Sequence, residues 1–154
     1  MAWYDSEEAG GTAPAEVPPG NGWLSDTGSQ TIASGSLAPL SWPSVDEDTS
    51  DYFDAGAPTR LTIPAGKGGV YLLEFGAQFS ASAAGDERVF NIRKNDSLLW
   101  QLYSVPRASF LRMEVMRTFR FVDDDYIHVQ AYQDSGGDLD VFSARHLRIT
   151  RLSA

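Results

Sequence analysis

The 154-residue chain has no cysteine, which excludes disulfides, thiolate metal sites and a cysteine nucleophile together. Stability must come from packing or oligomerisation. Lysine is nearly absent, with only Lys67 and Lys94, and 21 acidic residues against 12 basic ones leave a net charge of −9. Phosphate contacts need clustered cations, so nucleic acid is not an expected partner, and the acidity reads as a solvated surface. No apolar run approaches the roughly 20 residues of a membrane span, so no membrane partner is expected. The start, Met1 to Glu8, lacks a basic n-region and an apolar h-region. The expectation is a chain without a secretory signal, made and assembled in a cytoplasm.

Catalytic chemistry is equally thin. His128 and His146 are the two imidazoles, neither in a nucleophile context nor at zinc-ligand spacing, and no glycine-rich phosphate loop is present. No cofactor or metal is expected, and the chain does not read as an enzyme. Paired-carboxylate chemistry stays open only because acidic residues abound. His128 lies on the parity opposite Ile127 and Val129, facing solvent or a subunit interface. His146 opens a final strand in a basic patch with Arg145, Arg148 and Arg151.

What is present is strand pattern. In Val-Tyr-Leu-Leu-Glu-Phe-Gly-Ala-Gln-Phe, residues 70–79, one parity holds Tyr71, Leu73, Phe75, Ala77 and Phe79. This period of two predicts the central strand of an antiparallel sandwich with its aromatic face buried. The preceding Pro64 to Gly69 run sets where it begins. Further strands are predicted over 59–63, 88–93, 98–103, 110–122, 126–133, 139–142 and 146–152, with a bent edge strand over 30–42. Asn95-Asp96-Ser97 matches a glycosylation sequon but reads as hairpin-turn chemistry, and 134–138 reads as another hairpin turn. Met116 and Arg117 are exchanged against the alternation of their strand, which predicts a bulge there. The acidic residues of 44–58 read as a surface loop and Asp123-Asp124-Asp125 as a turn, neither having full calcium-loop spacing. No helical periodicity exceeds a turn. The fold class is therefore all-β, a sandwich or jelly roll.

Residues 1–28, rich in Gly and Pro, are predicted to be an extended N-terminal arm, and 29–154 the β-sandwich domain. Trp3, Tyr4, Trp23 and Leu24 stand out in the arm as anchors, either for the protein's own body or for a partner.

The strands also carry a resemblance. Gly69-Val70-Tyr71-Leu72-Leu73-Glu74-Phe75 resembles the Gly-x-Tyr-x-Phe strand of C1q and tumour-necrosis-factor-like jelly rolls. Ile92 to Asp96 resembles their Lys-Asn-Gly hairpin, with Asp96 in place of Gly. Asp125 to Gln130 resembles their Gly-Asp-x-Val-x-Leu strand, with Asp124 where Gly is usual, and Phe142-Ser143-Ala144 with Leu147-Arg148-Ile149 a loosened Phe-Ser-Gly-x-Leu-Leu ending. The resemblance implies an antiparallel jelly roll in a homotrimer with aromatics near the threefold axis. Tyr71, Phe75, Trp100 and Tyr132 fit that interface by chemistry, and fit an ordinary core as well. With its short arm the chain looks like virion proteins of tailed bacteriophages. The implied function is a capsid decoration protein binding the major capsid protein on the head surface, its arm anchors serving as capsid contacts. The alternative is a receptor- or carbohydrate-binding head of a tail fibre or spike, with Trp42, Tyr52, Phe53 and Trp100 as sugar platforms.

Overall fold

The computed structural model describes residues 20–154. They form strands β1 (Asn21–Asp26), β2 (Gln30–Ile32), β3 (Ala38–Pro39), β4 (Ser44–Asp48), β5 (Arg60–Thr62), β6 (Gly69–Phe79), β7 (Arg88–Lys94), β8 (Ser97–Ser104), β9 (Leu111–Phe121), β10 (Tyr126–Gln133) and β11 (Leu139–Ser153). One antiparallel sheet runs β4-β1-β11-β6-β9 with β2 on β11. The other runs β3-β10-β7-β8 with β5 on β10. Among these residues no helix is long and apolar enough to cross a membrane.

As its alternation predicts, β6 is interior, flanked by β11 and β9. Tyr71, Leu73, Phe75, Ala77 and Phe79 are completely buried. Phe75 meets Phe90 of the opposite sheet edge-on at 5.2 Å between centroids, Phe79 stacks on the same ring at 4.6 Å, and Tyr71 tilts against Phe121 at 5.7 Å. Burying such rings contributes most of what holds two sheets face to face.

Several expectations are corrected. The folded domain does not begin at residue 29. β1 pairs with β11 from Asn21↔Thr150 to Asp26↔Arg145 and with β4 on its other side. The strand escapes a search for branched apolar residues because its inward positions are Gly22, Leu24 and Asp26. A Cβ on Gly22 would lie 3.0–3.2 Å from the Tyr52 side chain, which fills that space instead. The 44–48 stretch, expected as loop, is edge strand β4. It carries Asp and Glu because an edge exposed to water needs no apolar alternation. The turn at 134–138 is not a hairpin, since β10 and β11 lie in different sheets, and the turn at 123–125 likewise crosses from β9 in one sheet to β10 in the other. Period-two patterning reports which side of a strand is buried, not which strand lies beside it. The two C-terminal segments are one strand, β11, whose register shifts between Phe142 and His146 and whose Ala144 has φ 62°. Conversely, β9 pairs with β6 without interruption from Gly69↔Phe121 to Phe79↔Leu111, so it has no bulge at Met116.

The acidic loops are staples. Asp48 accepts backbone N–H bonds from Ser50, Tyr52 and Phe53 at 2.8–3.3 Å. Asp123 accepts from Gly66 at 2.6 Å and Gly68 at 2.8 Å, and these N–H groups hold its carboxyl below the usual range. Burial pushes Asp125 up, but the Lys94 ammonium at 2.6 Å and N–H bonds from Val122 and Asn95 outweigh it and hold it low. Asp134 is lowered by the Glu87 and Asp86 amides, both at 2.9 Å. The hairpin at Asn95-Asp96 has both residues at positive φ, 47° and 62°, the two-residue turn whose twist matches its strands.

Two outcomes follow. Phe75→Ala should lower unfolding free energy by about 3–5 kcal/mol, read from the urea midpoint, because the ring is wholly internal. Carboxyls with depressed folded-state pKa add stability that is complete above about pH 5 and is lost as pH falls through their folded values. Melting temperature should therefore be flat above that point and drop in acid, with Asp125→Asn flattening part of the drop.

Candidate functional site: an open sandwich edge

The two sheets do not close on the side where β8 and β9 are edge strands. Along β9 the inward parity runs Leu111, Met113, Val115, Arg117, Phe119 and Phe121, placing a cation where an apolar residue belongs. On β8, Trp100 sits inward beside Ile92. At the mouth between them the Arg117 guanidinium lies 3.6 Å from the centre of the Trp100 ring, a cation–π contact worth about 0.5–2 kcal/mol. Leu99, Trp100, Val115 and Phe119 are only partly buried against the core. On the other side of β9, Met116 is 63% exposed. It borders a shallow depression of about 410 Å³ lined by Leu72, Met116, Arg117 and Thr118. The exchange of Met116 and Arg117 thus marks an unclosed edge, because either residue at the rim can reach solvent.

The expected site residues separate. Trp3 and Tyr4 lie outside the described residues. Leu24 is fully buried and belongs to the core, whereas Trp23, on the outer face of β1, is 37% exposed with Arg148 5.4 Å from its ring centre. Neither belongs to an arm. Tyr71 and Phe75 are interior and cannot meet a neighbouring subunit; Tyr71 donates its hydroxyl to Lys67 O at 2.5 Å, and burial pushes its pKa upward. Trp100 is at the open edge. Tyr132 lies elsewhere, on the outward face of β10 opposite Val89. Of the sugar platforms, Trp42 and Tyr52 are buried and Phe53 is partly buried against the core.

The imidazoles are also corrected. His128 is on the outward parity but is only 8% exposed. Burial lowers its pKa, outweighing the pull of Asp96, whose Oδ1 lies 3.3 Å from Nε2 without the geometry of a hydrogen bond. Arg145 is no surface cation; it is 2% exposed and ion-paired with Asp26, and it donates to Ser41 O at 2.9 Å. Among the described residues no group of three His, Asp or Glu is placed to hold a metal ion.

No protein-family model matches the chain, and no curated protein matches it. Solved structures do. A TNF protein from S. frugiperda, Eiger, superposes with a TM-score of 0.64 over 88% of this chain and 92% of its own, at 11% identity. The globular domain of zebrafish complement 1qA gives 0.61 over 86% and 97%, also at 11% identity. The fold is a C1q/TNF-like jelly roll.

The Arg117 contact is measurable. Arg117→Ala should uncover Trp100 and shift its fluorescence to the red, with a loss of stability near the cation–π range above.

Proposed function

We propose that the protein is a homotrimeric structural virion protein that decorates the outer surface of a bacteriophage capsid and stabilises the assembled lattice. The observation that supports assembly is the open edge, with Trp100 under Arg117 on one side and the Leu72, Met116 and Thr118 depression on the other. Edge and depression are different surfaces, so a contact between them is head-to-tail, and such contacts produce closed rings when the rotation closes. Closure at three is what the jelly-roll resemblance implies. The capsid assignment rests on that resemblance and on the arm. Residues 1–19 join the domain at Gly20, whose carbonyl accepts from Arg151 N at 2.8 Å.

Such a protein acts by linkage. Binding the assembled lattice and not free subunits stabilises the lattice by mass action, and three arms engaging together gain avidity of about 10²–10⁴ over one.

Two experiments test the two halves. Met116→Asp, at an exposed position, should convert the trimer to a folded monomer by light scattering and weaken capsid binding by at least about 100-fold. A wild-type monomer at all concentrations would refute the assembly. Deleting residues 2–19, which spares β1, should leave the trimer intact and abolish binding to assembled heads. Undiminished binding by that truncation would refute the arm as the capsid contact.

A further inference from the structure

We propose that the outward face of β5, β7, β8 and β10 binds an acidic oligosaccharide. The inference is independent of capsid attachment and of the trimer.

Three cross-strand rows follow one another on this face. Tyr132, Val89 and Tyr103 form the first. Gln130, Asn91 and Gln101 form the second. Arg60, His128 and Arg93 form the third. Successive rows are about 7 Å apart along the strands, and each spans about 10 Å across three of them. Aromatic, amide and cationic groups are thus graded along one direction over the length of a short sugar chain.

Each row is left chemically open. Tyr103 is 55% exposed, and the first two rows border a depression of about 240 Å³ lined by Leu37, Glu87, Val89, Asn91, Gln101 and Tyr132. That is below the 300–1,000 Å³ of a drug-sized site, room for one ring and not for a whole ligand. In the amide row, Gln101 Nε2 donates to Asn91 Oδ1 at 2.9 Å, and Gln130 Oε1 accepts from Arg93 Nη1 at 3.3 Å. These bonds orient the amides and leave Asn91 Nδ2, Gln130 Nε2 and Gln101 Oε1 for hydroxyl groups, which both donate and accept.

The cationic row is the strongest indication of charge on the ligand. Its cations are Arg60 and Arg93, which flank the buried His128 on its two sides in a chain of net charge −9. Arg60 Nε and His128 Nε2 are buried without a hydrogen-bond partner. The Arg60 guanidinium lies 4.9 Å from the centre of the Tyr126 ring, and the carboxylate that approaches His128 is Asp96, at the hairpin tip, accepting from Tyr126 Oη at 2.6 Å and lying 3.3 Å from His128. Arg93 is also tied to the Asp96 carbonyl. Asp96 occupies the position that a uronate carboxylate would take, and competes with it. An acidic peptide fits less well, because peptides add to a sheet along its edge through backbone bonds, whereas these groups stand on its face.

The test is calorimetric titration of the full chain with tetragalacturonate, tetramannuronate and a hyaluronan tetrasaccharide, using cellotetraose and hexaglutamate as comparisons. At least one acidic saccharide should bind more tightly than cellotetraose, more weakly at high salt. Tyr103→Ala and Arg93→Gln should each weaken it about tenfold, Gln101→Ala serving as a second variant at an exposed position. Asp96→Asn should tighten it about threefold, a gain that a merely structural role for Asp96 would not produce. The inference is overturned if none of the three acidic probes binds at about millimolar concentration. It is equally overturned if binding is unchanged in the folded variants or if hexaglutamate binds as well.

Discussion

Everything in the molecule depends on the aromatic seam between β6 and the facing sheet. Phe75 and Phe79 close on Phe90 from one side, while Tyr71 reaches Phe121 and, through its hydroxyl, Tyr52 at 3.2 Å and the carbonyl of Lys67. In a chain without disulfides no covalent link holds the layers, so their spacing is set by ring against ring. The same constraint fixes the glycines. Gly22 has no side chain because the Tyr52 ring lies over it.

Around this seam the loops are organised by carboxylates. Asp48, Asp123, Asp125 and Asp134 each gather two or more donors from nearby backbone or side chains. A net charge of −9 is therefore not uniformly a solvation device. Part of the acidity is structural, and stretches that suggest cation ligands in the sequence spend their oxygens on N–H groups.

Periodicity made the interior legible and topology largely illegible. The buried face of β6, the β7–β8 hairpin and the all-β class are visible in residues such as Tyr71, Phe75 and Asn95-Asp96. β1 was hidden because Gly22 and Asp26 hold inward positions, and β4 because an edge strand needs no alternation. The open edge was in view as the Met116 and Arg117 exchange, yet a bulge and an unclosed rim produce the same pattern. Distinguishing them required knowing that β9 has no neighbour beyond it. The rows on β5, β7, β8 and β10 were invisible for a related reason: each joins residues 10 to 68 positions apart that register alone makes neighbours.

The pairing of β1 with β11 has a consequence for biosynthesis. β11, the last strand of the domain, lies between β1 and β6, so its sheet has a gap at its centre until residues 139–153 leave the ribosome. Until then β1 and β6 present unpaired edges, the state in which β-rich chains are most prone to associate wrongly. Folding of this domain must await β11 and, with its main pairings so distant in sequence, is slow. Chains truncated near Leu147 or Ile149 would lack much of the strand that joins the two halves of the sheet, so the fold itself discriminates chains that carry the whole of β11 from chains that stop within it.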